Sequence, residues 1–243
     1  MKKLVPFFVL TLIAFAGVIA QETGAAKKDM AKLIDGQFKF AALQYKVLSK
    51  NVPADVMPKT FNTKTNKVET SNTKWWCSGF FPGSLLYIYE YTKDAEIRAE
   101  AEKRLAILEK EKHYKGNHDL GFMMYCSYGN AYRLFGKPED KATIDTAAAS
   151  LATRYRPSIK AIQSWDSSAK FKCPVIIDNM MNLELLNWVT DHGGNIWYKE
   201  IALTHANTTI QNHYRPDYSA YHVLDYDLAS GKVSRKKKPP GSI

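Results

Sequence analysis

The feature that most constrains the fold of this chain is an alternation between two kinds of helix-length segment. The segments GFMMYCSYGNAYRL (121–134) and NMMNLELLNW (179–188) are apolar on most sides, whereas AEIRAEAEKRLAILEKEK (95–112) is charged on one side. A helix that is apolar nearly all round must be covered by protein, while a charged helix keeps one face in water. The alternation therefore predicts helical hairpins with inner and outer helices, arranged as a toroid or an open solenoid.

Hydrophobic periodicity predicts about seven helices and almost no strand, so the fold class is all-α. A polar stretch at 54–76 is predicted to be a loop, since Pro53 and Pro58 interrupt any helix there. The alternating segment 219–233 predicts a short β-hairpin near the C-terminus. The predicted helices are 29–50, a helix starting near Pro82, 94–112, 118–136, 138–155, 178–190 and 195–213.

Both ends of the chain carry basic residues that mask a modest overall charge. Two early lysines and an apolar run that ends at Ala20 predict a secretory signal peptide over residues 1–20, and hence export to the bacterial periplasm. The run is too short for a membrane span, so no membrane partner is expected. The net charge is +10, but only +3 remains between residues 21 and 231. That balance argues against nucleic acid as a partner and tolerates an anionic small substrate.

Several classes of catalytic site are absent from the sequence. No HExxH motif, nucleophile elbow or phosphate-binding loop occurs, which argues against a metal hydrolase and a Ser-His-Asp hydrolase. The three cysteines, Cys77, Cys126 and Cys173, show no zinc-ligand spacing. Cys126 and Cys173 lie in apolar contexts that favour free thiols. These residues therefore support neither a zinc site nor a metal or Ser-His-Asp hydrolase.

Two aspartates, Asp119 and Asp178, each precede an apolar helix. Taken singly, each is a helix N-cap, because an Asp side chain accepts a backbone N–H there. Taken together, they stand at the ends of neighbouring inner helices and would meet in one pocket. Burial and mutual repulsion would raise the pKa of one of them, which is how a general acid and a base are separated within one site. Asp178, which follows Val175-Ile176-Ile177, is the better placed for desolvation.

Aromatic and histidine side chains supply further candidates. Trp75 and Trp76 end the polar loop, where an exposed indole can stack on the apolar face of a sugar ring; core packing is the alternative reading. His118 adjoins Asp119, while His205 and His222 are polar candidates that are individually more typical of structural positions.

Four segments in order resemble the unsaturated glucuronyl hydrolases of glycoside hydrolase family 88. They are WWCSGFFPGSLLYIYEYT, HDLGFMMYCSYGNAYRL, PVIIDNMMNLELLNW and RPDYSAYHVLDYDLASGKV, within residues 30–233. The resemblance implies an (α/α)6 barrel of six helical hairpins. It also implies removal of a 4,5-unsaturated uronic acid from the non-reducing end of glycosaminoglycan oligosaccharides, by hydration of a vinyl ether. No metal or cofactor is implied, and the sequence specifies no oligomeric state.

The resemblance also implies roles for individual residues. Asp178 is the general acid and base, Asp119 is the second carboxylate, and His118 positions it. Trp76, or less readily Trp75, is the stacking platform, and His205 belongs to the pocket. Tyr218 stands where the family usually has a glycine, which places that turn in question.

The chain also departs from the family after residue 233, where SRKKKPPGSI replaces the expected continuation. We therefore predict a signal peptide (1–20), the N-terminal part of an (α/α)6 glycosidase domain (21–233) and an aberrant, disordered tail (234–243). At roughly 30 residues for each helix and its loop, twelve helices need about 360 residues. The predicted barrel is incomplete, and the predicted activity is weak or lost.

Two other functions remain open from the residues. One is an unsaturated rhamnogalacturonyl hydrolase that acts on pectin fragments by the same chemistry. The other is a non-catalytic helical array that binds sugars or another protein.

Overall fold

A computed structural model describes residues 5–237, with side chains described from Lys27 onward. The first helix, α1, spans Val5–Asn51 and includes the predicted 29–50. Residues 1–4 of the predicted signal peptide, and residues 238–243 of the predicted tail, lie outside the described part. Within that part, no helix combines the length and the hydropathy that a membrane crossing requires.

The remaining helices follow the predicted order closely. A 3-10 segment, Glu109–His113, extends the third helix, and another, Ile177–Asn182, precedes the sixth. The predicted helix 118–136 begins instead with a π-helical segment, Gly121–Gly129. The α-helices after α1 are α2 (Phe80–Thr92), α3 (Ala95–Leu108), α4 (Asn130–Phe135), α5 (Pro138–Ala152), α6 (Leu183–Asp191) and α7 (Trp197–His213).

The helices form two layers, as the alternation of apolar and charged segments predicts. The inner layer consists of α2, the π-helical segment with α4, and α6, which pack on one another in chain order. The outer helices α1, α3, α5 and α7 pack against them. Fully buried residues such as Leu85, Met124 and Leu186 fill the space between the layers. The all-α prediction is therefore confirmed.

Short antiparallel strands fill places where the sequence predicts loops. The polar stretch 54–76 contains a hairpin of β1 (Met57–Asn62) and β2 (Lys67–Ser71), so the loop prediction is wrong there. Met57 is fully buried at the start of β1 and anchors this hairpin to the helical core. The strands β3 (Tyr155–Arg156) and β4 (Ala161–Ile162) form a second, minimal pair.

The third sheet lies next to the site described below. It joins β5 (Pro174–Ile176), β6 (Val223–Asp227) and β7 (Lys232–Lys237) in that order, all antiparallel. The β6–β7 pair confirms the predicted C-terminal hairpin. It also shows that the prediction of disorder from residue 234 is wrong for Ser234–Lys237. These residues are held by ladder hydrogen bonds and by the Ser234 hydroxyl, which donates to the Asp225 carbonyl.

Tyr218, the residue found in place of a family glycine, has a φ of 65° and is 86% exposed. A side chain in this left-handed region costs about 1–2 kcal/mol, because its Cβ approaches the following carbonyl. The turn nevertheless forms, since the Tyr218 amide donates to the Arg215 carbonyl and Asp217 accepts from Ser219.

We expect Tyr218→Gly to raise the free energy of unfolding by about 0.5–1 kcal/mol, since glycine removes this strain at some entropic cost. The matched control is Tyr214→Gly, which lies at a φ of −81° and is expected to lower stability. Denaturant unfolding measures both variants, and a destabilised Tyr218→Gly contradicts the assigned strain.

Candidate active site

The two predicted aspartates meet, together with one histidine, at the end of the inner helices. Three side-chain atoms, one imidazole nitrogen and two carboxylate oxygens, lie within 4.8 Å of one another; they belong to His118, Asp119 and Asp178. His118 Nε2 stands 3.3 Å from Asp119 Oδ1 and 3.8 Å from Asp178 Oδ1. The expectation that the two carboxylates share one site is therefore confirmed for Asp119 and Asp178.

Among the described residues, neither aspartate side chain accepts a hydrogen bond from the backbone amides at the start of its helical segment, so the capping bonds predicted for both are not formed. Leu120 is the cap residue of the π-helical segment and Ile176 that of the 3-10 segment, and neither cap has a side-chain hydrogen bond. The backbone carbonyl of Asp119 accepts a helical hydrogen bond from the Met123 amide at 2.9 Å, while its side chain takes no part in that bond. The two carboxylates are therefore not engaged as caps and remain available to the site.

The two carboxylates differ in their surroundings. The side chain of Asp119 is 13% exposed, whereas that of Asp178 is 45% exposed. Asp178 Oδ1 is nevertheless buried, and no described residue donates a hydrogen bond to it. Burial raises the pKa of Asp178, and the Asp119 charge adds to the rise while His118 and His222 oppose it. The direction predicted from the apolar run before Asp178 is confirmed.

Close backbone packing holds the segments of the site together. A Cβ on Gly121 would stand 2.6 Å from Asn182 Cα, so only glycine allows the π-helical segment to approach the 3-10 segment this closely. The fully buried Asn182 completes the contact, because its Oδ1 accepts from the Phe122 amide at 3.0 Å. This contact fixes the spacing of Asp119 and Asp178.

The aromatic side of the site is formed by the loop before α2. Trp76 is 44% exposed, and its ring lies 5.9 Å from the rings of both Phe80 and Phe122. Phe122, which contacts Trp76, lies three residues after Asp119 and so brings this loop to the carboxylate side. Burial raises the pKa of the Cys77 thiol to about 11, and the Asp119 charge adds to the rise. Trp75 is less exposed and lines a separate apolar groove of about 450 Å³ against the β1–β2 hairpin. Trp76 is therefore the exposed indole at the site.

The two other predicted histidines lie in different places. His222 precedes β6, and its carbonyl accepts from the Ile177 amide at 3.0 Å, next to Asp178. His205 is fully buried on α7, where its Nδ1 accepts from the Ile162 amide at 2.9 Å. Burial lowers the pKa of His205 to about 3. Its contacts are those of a structural residue beneath the site, and this geometry does not support its assignment to the open pocket.

Ser164 lies in an irregular region, and neither a motif nor a hydrophobic pattern identifies it as part of the site. Ser164 is fully buried, and its carbonyl accepts from the His118 amide at 2.9 Å. Its Oγ lies 3.2 Å from His118 Nδ1 and accepts from the Ile176 amide at 2.9 Å. Only the three-dimensional pairing of 162–165 with the segments around His118 and Ile176 identifies this residue.

We expect Asp178→Asn to raise the melting temperature at pH 7, because the raised pKa means that the folded state favours the protonated carboxyl. The folded state binds the Asp178 proton more tightly than the unfolded state, and this adds to the free energy of unfolding. The addition is complete below the unfolded pKa of about 3.9, and it is lost as pH rises through the folded pKa. Asparagine mimics the protonated form, so the difference from wild type shrinks towards pH 4. Solvent screening of a half-exposed group limits the rise to a few degrees.

Differential scanning calorimetry between pH 4 and pH 8 measures this difference. Asp191→Asn is the control, since that side chain is 59% exposed on α6, and we expect it to show no such pH-dependent gain. A lower melting temperature for Asp178→Asn at pH 7 contradicts the desolvation of Asp178.

Comparisons with known proteins give one consistent result. The chain is 36% identical to the unsaturated glucuronyl hydrolase of Formosa agariphila, over 99% of this chain and 61% of that protein. It is 27% identical to an unsaturated chondroitin disaccharide hydrolase of Streptococcus pyogenes, over 87% of this chain and 52% of that protein. The chain thus spans between half and two thirds of the length of these relatives. No family model matches it.

Solved structures of similar proteins agree with the fold. A crystal structure of an unsaturated glucuronyl hydrolase specific for heparin matches with a TM-score of 0.78 and 40% identity, over 83% of this chain and 54% of that one. The unsaturated glucuronyl hydrolase of Bacillus sp. GL1 matches with a TM-score of 0.70 and 27% identity, over 76% of this chain and 50% of that one. These proteins have the (α/α)6 barrel fold, of which the described helices form a part.

Proposed function

Because the chain belongs to the unsaturated glucuronyl hydrolase family, we propose that it removes a 4,5-unsaturated uronic acid from the non-reducing end of glycosaminoglycan oligosaccharides. The observation that carries the proposal is a carboxyl with a raised pKa, Asp178, within 4.8 Å of a second carboxylate and an imidazole. Relatives named for glucuronyl and chondroitin substrates favour this function over the pectin and non-catalytic alternatives.

The reaction that fits this site is hydration of a vinyl ether. The Asp178 carboxyl gives its proton to C4 of the sugar, which leaves positive charge shared between C5 and the ring oxygen. Water adds to C5 and returns a proton to the Asp178 carboxylate. The resulting hemiketal opens to a C5 ketone, and the hemiacetal left at C1 then releases the aglycone as an alcohol. Asp178 thus serves as general acid and then as general base.

The surroundings of Asp178 suit the transfer of a proton from its carboxyl group to carbon. Proton transfer to carbon requires a carboxyl that stays protonated at working pH, and burial raises the pKa of Asp178 in that direction. Asp178 is also the more exposed of the two carboxylates, so a sugar reaches it more readily than Asp119. Asp119, 3.3 Å from His118 Nε2, is suited to orienting the imidazole and the sugar hydroxyls.

Trp76 at the site, and two cations around the segment that precedes β6, suit an anionic sugar. Trp76 offers an exposed indole face for the sugar ring. Tyr221 precedes His222 in the chain, and the centroid of its ring lies 3.8 Å from the Arg215 guanidinium and 5.0 Å from the Lys236 ammonium. These cations favour a substrate that carries a carboxylate.

We expect Asp178→Asn to lower kcat by about 10³-fold, because it removes the proton donor while the fold persists. The assay follows loss of the absorbance of the C4=C5 bond in unsaturated disaccharides from heparin, chondroitin and pectin. In the active protein, the rate falls as pH rises through the Asp178 pKa, since the acid form is then lost. The control, Asp191→Asn, is expected to keep wild-type rates.

Different outcomes of this assay separate the candidate functions. Turnover of the pectin disaccharide alone supports the rhamnogalacturonyl alternative. Binding of a disaccharide with no turnover by wild type supports a sugar-binding role. Activity that survives Asp178→Asn refutes the assigned acid.

We also propose that residues 1–20 direct export to the bacterial periplasm and are removed after Ala20. The charged start and the apolar run up to Ala20 support this proposal. N-terminal sequencing of protein recovered from a periplasmic fraction is expected to begin at Gln21. An intact N-terminus in the cytoplasmic fraction contradicts it.

A further inference from the structure

Ser164 joins the two backbone segments that carry the site. Its amide donates to the Pro174 carbonyl at 2.8 Å, and its carbonyl accepts from the His118 amide at 2.9 Å. Pro174 begins β5, the strand that leads into Asp178. The backbone of one fully buried serine is therefore fixed on one side to the histidine and on the other to the aspartate segment.

The hydroxyl of Ser164 can donate one hydrogen bond, and its neighbours limit where that bond can go. Its Oγ accepts from the Ile176 amide at 2.9 Å, and His118 Nδ1 stands 3.2 Å away. Within the described part of the chain, Nδ1 is the one acceptor in hydrogen-bond reach of this hydroxyl. Donation to Nδ1 gives this proton its one acceptor among the described residues, and it requires an Nδ1 that carries no proton.

This donation determines which imidazole nitrogen carries the proton, and therefore whether an N–H or a lone pair lies towards the carboxylates. A neutral ring that accepts at Nδ1 carries its proton on Nε2. Nε2 stands 3.3 Å from Asp119 Oδ1 and 3.8 Å from Asp178 Oδ1, so the N–H lies towards both acids. The other tautomer would place a lone pair against two carboxyl oxygens.

We propose that Ser164 is a positioning residue for this site, which holds His118 in the Nε2–H tautomer and orients its ring between Asp119 and Asp178. The kinetic part of this inference rests on the proposed function, whereas the tautomer does not. The competing explanation is that Ser164 only supports β5, through its bond to the Ile176 amide. The two explanations differ in what they predict for the imidazole nitrogens.

Nitrogen-15 NMR of the full chain with labelled histidine distinguishes them without any substrate. In wild type at neutral pH we expect the His118 signals to show an unprotonated Nδ1 and a protonated Nε2. His118→Gln identifies those signals among the six histidines. The tautomer itself is read from the wild-type signals, and folded His118→Gln serves only to assign them. A proton on Nδ1 of the neutral ring overturns the proposal.

The variant Ser164→Ala then tests the hydroxyl. We expect the His118 signals to move towards a mixture of tautomers, while those of His205 stay unchanged, since its Nδ1 accepts from the Ile162 amide. Ser150→Ala is the matched control, because that hydroxyl is also buried but donates only to the Lys112 carbonyl. Unchanged His118 signals in folded Ser164→Ala overturn the proposal.

Kinetics provide the second readout. We expect Ser164→Ala to lower kcat roughly tenfold with KM within about twofold, as for loss of a group that orients a catalytic side chain. Ser164→Thr keeps the hydroxyl, and we expect it to restore the wild-type tautomer and most of kcat. Equal losses in Ser164→Ala and Ser150→Ala would assign Ser164 a structural role. Absence of activity in wild type would count against the proposed function and would leave the tautomer result standing.

Discussion

The whole site depends on how closely the π-helical segment Gly121–Gly129 lies against the 3-10 segment Ile177–Asn182. Gly121 permits the approach, since a Cβ there would stand 2.6 Å from Asn182 Cα. Asn182 then bonds to the Phe122 amide across the contact. Asp119 lies two residues before the glycine and Asp178 four residues before the asparagine, so their spacing follows from this contact. A larger residue at 121 would push the two segments apart, and the two carboxylates with them.

The electrostatics of the site follow from the same packing. Bringing two carboxyl groups together in a partly dry place disfavours two negative charges, and burial is the first cause of the raised pKa of Asp178. An imidazole between the acids moderates the repulsion, provided that its N–H lies towards them. The Ser164 hydroxyl, whose oxygen accepts from the Ile176 amide, lies at the opposite edge of that ring. One buried hydroxyl thus connects the strand before Asp178 to the orientation of His118.

The sequence predicted the parts of this structure that depend on local pattern. Helix order, the inner and outer layers, and the β6–β7 hairpin follow from hydrophobic periodicity. The pairing of Asp119 with Asp178 follows from their positions before two inner helices. Hydrophobic periodicity does not reveal the π-helical segment, in which Gly121 packs against a residue 61 positions away. Ser164 likewise depends on long-range pairing, with His118 and the Ile176 amide, and the burial of His205 on α7 against β4 is also set by tertiary contact.

The central claim is that Asp178 protonates carbon C4 of an unsaturated sugar, so that the bond at C1 is not the one attacked. The most direct test compares an O-linked unsaturated glucuronide with its S-linked analogue. Hydration predicts that the C4=C5 absorbance of the two substrates is lost at rates within roughly tenfold, because the first step leaves C1 untouched. An S-linked analogue that keeps its double bond while the O-linked sugar is cleaved would contradict the account.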